Sequence, residues 1–322
     1  MGWTVLPDPQ VSSQHQVSPL VSVLVPAFNH QEYIEACLDS VVESSYAPLE
    51  ILVLDDGSND GTYDRACAWM KNNAHRVERV KVHHQTNLGI TRTLNKLISL
   101  SGGEYVTLLA SDDALERDGI MLRVTALQRH PEWLAVFGDC SIIDGTGRLQ
   151  ATSALSSLYH AHVPALLNPH RITRELILRW SVAGPSMLAR RLAYSVDVGV
   201  GPYDEQLQVE DRDFYLKLLS RDGLGFINET VARYRVHGRN GIFTHNSVGH
   251  RDVVMAEWRH RDSFAGLNRC LLTLVAVRGR VQLRSIRENE QDHRLQGQFF
   301  WLIGRGLAVV QKSAHLLHRL LG

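Results

Sequence analysis

The chain has 322 residues, 44% hydrophobic and 21% charged, with a formal net charge of zero. This is ordinary globular composition, long enough to bury a sizeable core in one large domain or two modest ones, and its bulk charge gives no reason to expect a nucleic-acid partner. Four widely spaced cysteines, Cys37, Cys67, Cys140 and Cys270, form no Cys-x-x-Cys pair, which argues against a zinc site or a disulfide framework and fits buried thiols in a reducing cytosol.

Residues 1–18 mix Pro, Ser and Gln and read as a flexible leader, without the basic and apolar segments of a signal peptide. Val21-Ser22-Val23-Leu24-Val25 then reads as a short buried parallel strand stopped by Pro26. Helical spacing follows over 31–43, with Ile34, Leu38 and Val41/Val42 on one face. A second strand, Glu50 to Leu54, ends in the turn cluster Asp55-Asp56-Gly57-Ser58. A helix over 62–70, a strand at Val80-Lys81-Val82 and a helix over 90–100 come next. Glu104 to Leu109 is a fourth strand, ending in Ser111-Asp112-Asp113. Strand and helix thus alternate four times within about ninety residues, the pattern of an open α/β sheet, mostly parallel, flanked by helices. Ligands of such sheets sit beyond the carboxyl ends of the strands, where this sequence places Asn29, Glu32, Asp55, Asp56, Asp112 and Asp113. Beyond residue 120 the rhythm loosens. Val136 to Asp144 predicts a strand with a hairpin tip at Gly145-Thr146-Gly147, Ser186 to Ala189 another strand, and residues 209–220 a helix with acids in its first turn.

Adjacent carboxylates such as Asp112-Asp113 are costly to hold together unless a cation neutralises them, and a hard divalent ion, Mn²⁺ or Mg²⁺, suits oxygen ligands. A solvated loop or a helix cap is the plainer alternative. The run Asp55 to Thr62 reads equally as a helix-capping turn. A calcium loop is disfavoured because its twelfth position holds Cys67 instead of a bidentate acid. A carboxylate there could also accept a hydrogen bond from a nucleobase N–H. Glu210-Asp211 and Asp213 carry the same ambiguity between helix capping and chemistry.

Six segments, taken in order, resemble family 2 of the inverting glycosyltransferases. They are Val23 to Asn29 with Glu32; Leu54 to Thr62; Asn87-Leu88-Gly89; Gly103-Glu104-Tyr105 with Ala110 to Asp113; Val209 to Tyr215; and Tyr234 to His237. The resemblance covers about residues 20–240. It implies a GT-A fold, a divalent metal and a nucleotide-diphosphate sugar donor, with a UDP-sugar favoured. By position, Pro26, Ala27, Asn29, Glu32 and Asp56 would line the nucleoside pocket. Asp112 and Asp113 would form the metal motif, Asp112 also touching the ribose or sugar, and His237 would be a further metal or diphosphate contact. Asp211 would be the catalytic base, with Asp213 the second candidate. Many members carry another acid where Ala110 stands, so this site would hold its metal with fewer carboxylates.

On this reading residues 19–244 are the catalytic domain and 245–322 a basic helical extension, with twelve Lys and Arg against six Asp and Glu. Within it, Phe299, Ile303, Leu307, Val310, Ala314, Leu317 and Leu321 form one helical stripe. Such a stripe suits packing on the catalytic domain, a homodimer seam, or an in-plane membrane helix that meets a lipid-linked acceptor. The expected product is a glycan or lipid-linked oligosaccharide of a bacterial-type surface polysaccharide. The expected location is the cytoplasm, with a peripheral contact to the inner face of the cell membrane. Two other readings stay open: a non-catalytic nucleotide-sugar binder with a degenerate site, and a nicotinamide dehydrogenase. The second is disfavoured because Pro26-Ala27-Phe28 stands where a Gly-x-Gly-x-x-Gly turn would be needed.

Overall fold

The structure, a computed structural model, describes residues 18–237 and 247–290. The expected leader, up to residue 17, and the apolar stripe from Phe299 to Leu321 lie outside the described residues. In chain order the elements are β1 (Val21–Ala27), α1 (Ile34–Val42), β2 (Leu49–Asp55), α2 (Thr62–Asn73), β3 (Arg79–His84), α3 (Ile90–Leu100), β4 (Tyr105–Leu108), β5 (Ala114–Leu115), α4 (Gly119–Arg129) and β6 (Ala135–Asp144). There follow β7 (Leu149–Ala151), α5 (Ala154–Ser157), α6 (Val163–Leu166), α7 (Ile172–Leu178), β8 (Met187–Arg190), α8 (Asp211–Leu219), β9 (Leu224–Val236), α9 (Ser247–His260) and α10 (Gly266–Glu290).

One sheet runs in the order β3-β2-β1-β4-β8-β6-β9-β5, with β7 beside β6. The four strands of the alternating segment, β1 to β4, pair in parallel. Beyond β4 the pairings with β8, between β8 and β6, and between β5 and β9 are antiparallel, while β6 and β9 run parallel. The sheet is therefore parallel where the nucleotide-type βα repeat lies and mixed where the chain closes back on it.

Side chains of β1 alternate between two cores, as the period of two in a strand requires. Val21, Val23 and Val25 join Ile34, Leu38 and Val41 of α1 on one face, while Leu24 meets Leu94 and Leu97 of α3 on the other. Helices cover both faces, which is why these strands read as unbroken apolar runs. The expectation that Pro26 stops β1 is corrected: the strand continues to Ala27, with Pro26 opposite Leu54 of β2. Pairing with β4 has already ended at Leu24 and Leu108, so the missing proline N–H falls where β1 has a neighbour on one side only.

The described part of the C-terminal segment belongs to the same body. Ala256, Phe264, Leu271 and Leu272 share one core with Leu176 of α7 and Phe214 of α8. The buried Arg212 guanidinium ties the three helices together, donating to the Leu176 and Ile177 carbonyls and to Glu257 of α9 at 2.9 Å. Among the described residues no helix is long and apolar enough to cross a membrane.

Candidate active site

The loops after β1, β2 and β4 meet at one edge of the sheet. Asn29 turns the β1 loop by adopting a left-handed φ of +55°, which asparagine tolerates better than most residues. Its N–H donates to Ser58 Oγ and its side-chain oxygen accepts the Asn59 N–H, each at 2.9 Å. The His30 N–H donates to Thr62 Oγ1 at 2.8 Å. The β1 and β2 loops are thus laced by backbone donors, and Asn29 acts as the staple between them.

Asp55 and Asp56 turn to different tasks. Asp55 is buried and bonds the Ser58 hydroxyl and His84 Nδ1. Asp56 accepts the backbone N–H groups of Leu88 and Gly89, at 2.8 and 2.9 Å, and the Gln85 side-chain amide. It therefore braces the Asn87-Leu88-Gly89 loop while lining a cavity of about 270 Å³ with Pro26, Ala27, Phe28 and Ile90. At Gly57 (φ +76°) an added Cβ would sit 2.7 Å from the Asn87 nitrogen, so only glycine lets the two loops close over this cavity.

The adjacent acids after β4 divide in the same way. Asp113 is buried beneath β9, where its Oδ1 accepts the Arg235 N–H at 2.8 Å. Burial, then the neighbouring Asp112 charge, pushes the Asp113 carboxyl well above the ordinary range. Asp112, also buried, faces the cavity, with His237 Nε2 at 2.9 Å from its Oδ2 and His30 Nδ1 at 3.8 Å from its Oδ1. His30, Asp112 and His237 bring ligand atoms within 4.8 Å of one another, a donor set that fits a divalent ion. Two members of the expected metal set, Asp112 and His237, meet here. The third expected ligand, Asp113, bonds the Arg235 N–H of β9 through Oδ1, and the third donor atom near Asp112 and His237 comes from His30.

On α8 the two candidate bases have opposite environments. Asp213 is clamped by His260 and Lys217, each at 2.7 Å, and by Arg259 at 3.3 Å. Burial alone would raise its carboxyl, but the His260 and Lys217 bonds outweigh that and hold it down at about 2. Asp211 instead opens onto a cavity of about 590 Å³ that also contains Asp112, Trp180 and Tyr234. Burial raises the Asp211 carboxyl, against the lowering effects of the Arg212 N–H and guanidinium and a Trp180 bond. Burial and the Asp211 charge likewise push Glu210 up to about 8. Asp211 thus faces the larger cavity with a raised carboxyl, whereas the Asp213 carboxylate is taken up by its ion pairs with Lys217, Arg259 and His260.

The two cavities share His30 and Ala110. Pro26, Ala27 and Asp56 thus lie in one chamber, Asp112, Asp113 and Asp211 in the next, and His30 forms part of the wall between. Asn29 and Glu32 line neither chamber; Glu32 is exposed on the approach to α1. His30 escaped the sequence reading, although it directly follows Asn29 in the first signature segment. Trp180 escaped because the loop between α7 and β8 has no periodic pattern to anchor it.

The model of glycosyl transferase family 2 matches residues 22–186. A chondroitin synthase of Pasteurella multocida is 36% identical over 223 residues, 69% of this chain but 21% of that protein. An uncharacterized glycosyltransferase of Rickettsia bellii and a chondroitin synthase of Escherichia coli are likewise much longer, the chain spanning about a third of their length. Among solved structures, Staphylococcus aureus TarS 1–349 in complex with UDP-GlcNAc superimposes with a TM-score of 0.63 at 17% identity, over 88% of this chain and 79% of that one. The mannosyltransferase PcManGT of Pyrobaculum calidifontis, in complex with GDP-Man and Mn²⁺, gives 0.58 at 18% identity, over 99% and 88%. At such identities these likenesses concern the fold, which is of the GT-A type.

Proposed function

Because this chain belongs to glycosyl transferase family 2 and so is a nucleotide-sugar transferase, we propose that it inverts the anomeric carbon in transferring a sugar from a UDP-sugar to a glycan or lipid-linked hydroxyl. The observation that carries this reading is the pair of abutting cavities, with Asp56 in the first and Asp112 and Asp211 in the second. The smaller chamber has the apolar walls a nucleobase needs in Pro26, Ala27 and Phe28. The diphosphate would lie at the junction beside His30 and Asp112, and the sugar would enter the larger chamber. The UDP-GlcNAc held by TarS supports the uridine preference, and the GDP-Man held by PcManGT keeps guanosine among the donors to be tested.

An acceptor hydroxyl is a weak nucleophile until its proton is withdrawn during attack. Asp211 takes that proton; its raised carboxyl favours proton capture over an ordinary, more acidic aspartate. Trp180 and the Arg212 N–H orient the accepting oxygens. Attack from the face opposite the leaving group forms the new glycosidic bond in one displacement, without a covalent enzyme intermediate. Asp112 and His237 would hold a divalent ion, Mn²⁺ or Mg²⁺, which supplies Lewis-acid neutralisation of the departing diphosphate when bound. Asp113, braced by Arg235, keeps the Asp112 backbone in place.

A panel of UDP-, dTDP- and GDP-sugars, followed by released nucleotide, tests this reading, with the product's anomeric configuration read by NMR. Turnover of a UDP-sugar with inverted product is expected. Donor binding without nucleotide release would leave a non-catalytic binder, and a retained configuration would overturn the single-displacement mechanism.

A further inference from the structure

His30 is held more firmly than a surface histidine in a loop requires. Its N–H is fixed by Thr62, its Nδ1 lies 2.8 Å from Ser111 Oγ, and its ring meets those of His237 and Tyr33 edge-on at 5.8 and 5.9 Å. His237 is clamped in turn: Tyr33 stacks on it at 5.0 Å, and the Arg235 guanidinium lies 4.9 Å from the Tyr33 ring centre. Both imidazoles therefore lie beside Asp112 before any ligand arrives, His30 through Nδ1 and His237 through Nε2. Ala110, which precedes Ser111 and Asp112 after β4, offers no side-chain ligand atom.

We propose that His30 is a third protein ligand of the divalent ion, so that two imidazoles and one carboxylate make the site select Mn²⁺ over Mg²⁺. The proposal rests on the reading of Asp112 and His237 as metal ligands. Its chemistry follows from ligand type. Mg²⁺ demands near-octahedral oxygen coordination and gives up its waters reluctantly. Imidazole nitrogen is a better partner for transition ions, whose affinities rise along the Irving–Williams order, with Mn²⁺ at its weak end. Each nitrogen substituted for a carboxylate oxygen moves preference away from Mg²⁺. His30 also borders both chambers, so an ion held there would sit within reach of a diphosphate lying between them.

The test is a Mn²⁺ titration of the full chain with UDP present, followed by the EPR signal of free Mn²⁺, with nitrogen hyperfine couplings counted by pulsed EPR. Two imidazole couplings are expected in the parent protein and one in His30→Asn, whose Mn²⁺ affinity falls about tenfold or more. Mg²⁺ should displace Mn²⁺ poorly from the parent and more readily from His30→Asp, in which an oxygen donor replaces the nitrogen. Circular dichroism melts of both variants separate lost ligation from lost folding. A single nitrogen coupling in the parent, unchanged in His30→Asn, overturns the role of His30 and leaves the metal site standing. Absence of any bound Mn²⁺ in the parent overturns both.

Discussion

Asp211 and Asp213 stand two residues apart on α8, and replacing each by asparagine should produce opposite outcomes. The Asp213 carboxyl is lowered from an ordinary 3.8 to about 2 by its bonds to His260 and Lys217. A depressed carboxylate contributes stability that is complete above its unfolded value and is lost as pH falls through the folded one. At 1.36 kcal/mol per unit the shift corresponds to about 2 kcal/mol at neutral pH, an upper figure because Lys217 and Arg259 are partly solvated. Asp213→Asn removes that contribution, so the melting temperature should drop by up to about 3 °C while sugar transfer persists. The Asp211 carboxyl is raised by burial, which means its charge costs stability. Asp211→Asn keeps the oxygen that accepts the Arg212 N–H, so it should fold as well as the parent or better and lose transfer, with donor affinity nearly unchanged. Urea denaturation beside a nucleotide-release assay reads both quantities. An Asp213→Asn protein that is stable but inactive, beside an active Asp211→Asn, would refute the assignment of roles on α8.

Three further outcomes follow from the site. The transfer rate should rise with pH through a range above the ordinary carboxylate value of about 4, because Asp211 is raised and Glu210 is pushed up to about 8; an acid limb at or below that ordinary value would contradict this. Asp56→Asn should weaken donor binding, measured by calorimetry, since the amide keeps one accepting oxygen and its NH₂ cannot accept the second of the Leu88 and Gly89 N–H groups that the two carboxylate oxygens hold. Arg212→Met should cost about 3–5 kcal/mol in urea denaturation, because it leaves Glu257 and two helix-end carbonyls without the guanidinium that joins α7, α8 and α9.

The parallel half of the sheet was legible because β1 and β2 are buried on both faces and read as continuous apolar runs. The acids at their ends were legible because polar residues directly after such runs have only the sheet edge to occupy. β9 was not. Its thirteen residues include Gly225, which packs against the Trp133 ring, and an exposed stretch over 228–230 where the register with β6 shifts. That pattern breaks the alternation by which a strand is recognised. The partition of paired acids was equally hidden. Asp55 and Asp113 are indistinguishable from Asp56 and Asp112 in sequence. Only the approach of His84 to one and of Arg235 to the other, 29 and 122 residues distant, separates brace from cleft. His30 was overlooked for the same reason: its partners Ser111, Asp112 and His237 all come from later segments.

One donor molecule should span both chambers, which a crystal structure of the chain with UDP and Mn²⁺ would reveal. Uracil is expected against Pro26, Ala27 and Asp56, with the diphosphate beside His30, Asp112 and His237. A nucleotide bound elsewhere, leaving Asp56 and Asp112 untouched, would contradict it.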